Sequence, residues 1–125
     1  MKIIELVNII DGKVMTPGVP LDRDVKGGCG ADLMSDVLAS IQPDAVLLTG
    51  LCNPQVVRTA MMADVSAIVI VRGKTPPPET IKLAQDENIP LIQTPYGMFE
   101  LCGRLFRAGL PSLEKTIPDG LCECE

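Results

Sequence analysis

The 125-residue chain is 46% hydrophobic, has two Phe, one Tyr, no Trp and no His, and carries a net charge of −5. The length suits one compact domain with an aliphatic core, and the acidic balance excludes a nucleic-acid partner held by phosphate neutralisation. Without His, the commonest general base and metal ligand are missing, and with them every Ser-His or Cys-His nucleophile.

The N-terminal segment Lys2 to Ile10 (KIIELVNII) is expected to be a strand. Its Glu5 interrupts the apolar run, unlike a secretory signal, and no apolar stretch approaches the roughly 18 residues of a spanning helix, so a cytoplasmic chain without a membrane partner is expected. Asp11-Gly12 is a turn signal leading to a brief partner at Lys13 to Met15. Thr16 to Asp24, with two prolines, reads as a loop. Val25 to Cys29 is a short, glycine-weakened strand, and Ala31 to Ile41 a helix with Leu33, Val37, Leu38 and Ile41 on one face, closed by Pro43. Ala45 to Thr49 is a buried strand. The turn Gly50 to Asn53 leads into a helix over Pro54 to Ala63, with Asn53 as N-cap and Val56, Val57, Ala60 and Met61 facing inward.

Ser66 to Val71 is a continuous, β-branched run of the kind buried on both faces of a parallel sheet. Arg72, Gly73 and Lys74 break it. Pro76 to Pro78 place the next helix start near Pro77 or Pro78, where Glu79 complements the dipole, and Ile81, Leu83 and Ala84 form its apolar stripe. Asn88 stops that helix, and Ile89 to Gln93 forms another strand. The last helix, Tyr96 to Ala108, carries Met98, Leu101, Cys102, Leu105 and Phe106, and Pro111 ends it. The order is βαβαβαβα after an N-terminal strand. It implies a single-domain α/β layered fold with a mainly parallel β-sheet flanked by helices.

Five cysteines, Cys29, Cys52, Cys102, Cys122 and Cys124, have no disulfide-framework spacing and read as reduced thiols. Cys122-Glu-Cys124 is the one pair placed to hold a soft metal or cycle as a redox couple, but its CxC spacing has no matching second pair, so no metal site or cofactor is assigned. Met34, Met61, Met62 and Met98 are assigned to core filling.

The stretch VRGKTPPPETIKLAQDENIPLIQTPYGMF resembles the corresponding part of DRTGG domains: apolar strand, glycine turn, P-x-x-x-I/L helix, IP-hydrophobic strand, and a Thr followed by an aromatic helix. The upstream GGCGADLMSDVLASIQPDAVLLTG is similar to the family's earlier half, so the resemblance covers about Val25 to Leu110. It implies a DRTGG-like domain over 1–111 followed by a polar tail, 112–125. Such domains are attached to phosphate acetyltransferases and CBS-containing pyrophosphatases, occur alone, and are similar to the N-terminal domain of HPr kinase/phosphorylase. The resemblance implies a non-catalytic regulatory or scaffolding role, a homodimer and a partner enzyme or regulator. The name-giving DRTGG string is absent, the turns reading TGLCNP and VRGKTP, so the family's Asp-Arg pair has no counterpart to carry over.

A candidate site follows from the loops at the carboxyl ends of the parallel strands, where open α/β sheets bind ligands near a switch in strand order. These loops supply Thr49, Gly50 and Asn53, then Arg72, Gly73, Lys74 and Thr75, then Thr94, Tyr96 and Gly97. Backbone N–H groups at three helix starts beside two cations suit a phosphate or carboxylate, so a small anionic or nucleotide ligand is expected. GGCGAD at Gly27 to Asp32 lacks the GK[ST] ending of a P-loop, which removes a kinase reading, and no catalytic residue is assigned. Two alternatives remain: a small enzyme using Lys74 or Tyr96 as acid or base, and a redox or metal-linked adaptor built on Cys122 and Cys124.

Overall fold

The computed structural model describes residues 1–116. Its elements are α1 (Ile3–Ile9), β1 (Lys13–Val14), β2 (Gly27–Gly30), α2 (Met34–Ser40), β3 (Ala45–Thr49), α3 (Pro54–Ala63), β4 (Ala67–Ile70), α4 (Pro78–Asp86), β5 (Leu91–Gln93) and α5 (Met98–Arg107). The expected α/β architecture is present as a five-stranded sheet of order β1-β5-β4-β3-β2. β2 to β5 run parallel, and β1 pairs antiparallel with β5, Lys13 opposite Gln93.

The N-terminal segment is a helix, not the expected strand. Ile3, Leu6, Val7 and Ile10 are buried at i, i+3, i+4 and i+7, while Glu5 and Asn8 face solvent, which is the 3.6-residue period. Glu5 Oε1 accepts the Lys2 amide at 3.3 Å, closing the first turn. Asp11, at φ 49°, ends the helix in the left-handed region.

The parallel strands follow chain order across the sheet, each step in one direction, so right-handed crossovers place α2, α3 and α4 on one face. Met34, Val37, Val56, Val57, Ala60 and Ala84 pack there on Leu47, Ile68, Ile70 and Leu91. The other face is covered by α1 and α5, whose Ile3, Leu6, Leu101 and Leu105 pack on Val46, Leu48, Val69 and Ile92. Alternate residues of β3 and β4 thus feed two cores, which explains their unbroken apolar runs. Each fully buried aliphatic side chain contributes roughly 1.5–3 kcal/mol. Because the parallel order never reverses, the sheet has no switch point, contrary to the expectation used to locate a site.

Several side chains assigned inward lie outward. Leu33 is the N-cap of α2 and 61% exposed, Leu38 is exposed, and Met34 takes the inward place beside Val37. Met61, Met62 and Phe106 are also exposed. After α5, Ser112 bridges Gly28 and Glu114 bridges Ile41, so the segment after Pro111 lies along the outer edge of β2. Gly27 is required there, since a Cβ on it would meet Leu113 Cβ at 2.6 Å and the Pro111 carbonyl oxygen at 2.8 Å. Among the described residues no helix is long and apolar enough to cross a membrane.

Candidate functional site

The carboxyl ends of β3, β4 and β5 bring the predicted loops together, stitched by specific bonds. β4 ends at a tight turn: the Lys74 amide donates to the Val71 carbonyl at 3.4 Å, with Arg72 and Gly73 both at φ 64°. Two successive left-handed residues suit Gly73 and strain Arg72. The turn is held from the β5 side, where Arg72 N–H donates to the Tyr96 carbonyl and Gly73 N–H to the Thr94 carbonyl, each at 2.8 Å. Gln93 Nε2 donates to the Gly73 and Lys74 carbonyls at 3.0 and 2.9 Å.

On the β3 side, Lys74 Nζ donates to the Gly50 carbonyl at 3.0 Å. Asp32, in the loop after β2, accepts through Oδ1 from Gly50 N–H at 2.7 Å and from Thr49 Oγ1 at 3.1 Å. Asp32 Oδ2 has no hydrogen bond among the described residues. A Cβ built on Gly50 would stand 3.4 Å from Lys74 Nζ and 3.5 and 3.6 Å from the two Asp32 oxygens, so glycine lets ammonium and carboxylate crowd one spot. Asp32 is absent from the predicted set. The signal for it was the GGCGAD turn, which places an acid two residues beyond a parallel strand.

The predicted residues divide by what their polar atoms already do. Thr49 and Thr94 are fully buried; Thr49 Oγ1 accepts from Leu51 N–H, and Thr94 Oγ1 donates to the Ile10 carbonyl at 2.8 Å. Asn53 Oδ1 accepts from Gln55 N–H at 3.1 Å and caps α3. Arg72, Gly73, Lys74 and Thr75 are exposed. The expectation of free N–H groups at three helix starts needs correction. α4 begins with three prolines, which have no N–H, and α3 begins with Pro54 and the Asn53 cap. The start of α5 remains: Gly97 is its N-cap without a side-chain bond, and a Cβ there would lie 4.0 Å from Arg72 Nε. Arg72 and the positive end of α5 therefore converge.

Tyr96 closes the β5 side. Its hydroxyl donates to Asp11 Oδ2, and the Arg104 guanidinium lies 4.1 Å from its ring centroid. The Asp11 bond, with partial desolvation, pushes the phenol above its ordinary value of 10. That opposes ionisation and so a role as base. Among the thiols, burial foremost and the charge of Glu114 push Cys29 up to about 11, and the same causes raise Cys102. Both are protonated and poor nucleophiles at neutral pH. Cys122 and Cys124 lie outside the described residues. Among the described residues, no group of three or more Cys, Asp or Glu is arranged to hold a metal.

The family model of the DRTGG domain matches residues 5–108. Among solved structures, the chain is similar to the crystal structure of the CBS and DRTGG domains of the regulatory region of Clostridium perfringens pyrophosphatase complexed with its activator, diadenosine tetraphosphate. The TM-score is 0.64 at 17% identity, covering 94% of this chain and 50% of that one. The likeness is one of fold, and this chain spans half the length of that structure. No curated protein matches the chain.

Proposed function

This chain belongs to the DRTGG domain family, and we propose that it is a cytoplasmic regulatory module without chemistry of its own, sensing a nucleotide-class ligand at the loops after β3, β4 and β5. In this reading it self-associates as a homodimer and conveys ligand occupancy to a partner enzyme or regulator. One observation carries the ligand: Arg72 and Lys74 project from a turn braced on both sides, with Arg72 beside the start of α5 and Lys74 beside the Asp32 carboxylate. A plain anion would meet repulsion from Asp32. A nucleotide suits both ends, with phosphate against Arg72 and the α5 dipole, and a ribose hydroxyl or base amine donating to Asp32 Oδ2. The similar pyrophosphatase region was crystallised with a dinucleotide activator, which supports that class of ligand.

The non-catalytic part rests on chemistry. The site has no His, its tyrosine is held protonated, and its lysine is bonded to a backbone carbonyl. Thermal shift against mono-, di- and dinucleoside polyphosphates, repeated with Arg72→Ala and Lys74→Ala, tests the sensing role. A nucleotide should stabilise the parent chain and neither variant. Equal stabilisation of all three would move the site elsewhere, and no stabilisation by any nucleotide would leave a scaffold.

A further inference from the structure

We propose that the outer flank of α5 is the surface through which the chain pairs with a second copy of itself; this deepens the self-association reading above and rests on it. The chain has only two Phe, both on α5 and both outside the core, Phe99 94% and Phe106 72% exposed. Seven residues apart, they lie two turns from each other on one stripe, with Gly103 between them. Beside Phe106 the flank opens into a groove of about 130 Å³ walled by Cys102, Leu105 and Leu110, with Gly28 and Gly30 of β2 as part of its floor.

One surface thus carries both a projecting aromatic ring and a mainly apolar recess, with Ser112 and Glu114 as its polar lining. A patch of this kind is self-complementary under a two-fold axis, and such an isologous contact closes at two copies. With the two α5 helices antiparallel about Gly103, Phe99 of one copy reaches the Phe106–Leu110 half of the other, where the groove opens. Glu100, which accepts from Arg104 of its own chain at 3.1 Å, then also stands beside Arg107 of the second copy, so opposite charges meet at both ends of the contact. A Cβ built on Gly103 has no atom within 4 Å, leaving the backbones free to approach at the crossing. At roughly 200 Å² for a fully exposed Phe, the two rings offer about 330 Å² per copy, a large part of the roughly 800 Å² per partner of a standard interface.

Sedimentation equilibrium of the full chain, the Phe99→Glu/Phe106→Glu double variant and a Met62→Glu control on the opposite layer tests the surface. The parent and control should dimerise alike, while the double variant keeps its far-UV circular dichroism and associates at least about 30-fold more weakly. A parent chain that stays monomeric at high concentration overturns self-association and this surface together. A dimer equally tight in the double variant overturns the α5 surface and leaves self-association standing. Should the double variant misfold, Gly103→Cys is read instead: mild oxidation should join the two introduced cysteines across the dimer, as seen by peptide mass, and a dimer without that link overturns the surface.

Discussion

Gly50 N–H donates to Asp32 Oδ1 at 2.7 Å, tying the loop after β3 to the loop after β2. The same oxygen accepts from Thr49, whose side chain is fully buried, so one carboxylate holds two donors at the edge of the core. Bonds to a charged acceptor are worth more than neutral ones, and removing the acceptor strands both donors. Asp32→Ala should lower the unfolding free energy by about 1–3 kcal/mol. Asp32→Asn, which retains an acceptor, should cost less. Urea denaturation checks this, and an unchanged midpoint in Asp32→Ala would show that the carboxylate is not the brace.

Arg72 separates ligand binding from stability. Its φ of 64° carries the left-handed strain that glycine escapes, and its exposed side chain is not needed for the backbone bonds that hold the turn. Arg72→Gly should therefore keep or raise the melting temperature, with a gain of up to about 1 kcal/mol, while abolishing the nucleotide-dependent shift. A variant that loses stability and keeps the shift would reverse this assignment.

The glycine edge gives a stricter test of packing. At Gly27 an added Cβ would strike backbone and Cβ atoms of Pro111 and Leu113, not the far end of a flexible side chain. Gly27→Ala should destabilise by about 1–3 kcal/mol, the usual range for overpacking a tight contact. Gly103→Ala, measured at a concentration where the chain is monomeric and an added Cβ has no atom within 4 Å, should gain up to about 1 kcal/mol. Equal midpoints for the two variants in denaturant would mean that the segment after Pro111 is not docked on β2.

Much of the fold was legible because β3, β4, α3 and α4 carry unambiguous signals: runs buried on both faces, an Asn-Pro cap, a proline cluster before an apolar stripe. The first element was misread because KIIELVNII is so rich in β-branched residues that composition hid its spacing; Ile3, Leu6, Val7 and Ile10 fit a helix face. The outward Phe106 and Leu33 could not be seen, since a helix with apolar residues on two flanks does not say which one meets the sheet. The loops of the candidate site lie at the carboxyl ends of β3, β4 and β5, a position that follows from the strand ends alone. Asp32 escaped because its bonds to Thr49 and Gly50 arise from pairing β2 beside β3, and the GGCGAD turn puts an acid past the strand without naming its partners.

Tyr96 reports on the site directly, because it is the only tyrosine and the chain has no tryptophan. Its hydroxyl donates to Asp11, which raises its pKa above 10 in the folded state. The stabilisation belongs to the protonated form, so it is fully present below the unfolded value of 10 and is lost as pH rises through the higher folded value. The ultraviolet absorbance of tyrosinate should titrate later in the folded chain than in urea. Asp11→Asn should move the folded midpoint back toward the unfolded one, and Tyr96→Phe should flatten the loss of thermal stability above pH 10. Superimposable folded and unfolded titrations would mean that the Tyr96–Asp11 bond does not hold the β5 loop against the turn after α1.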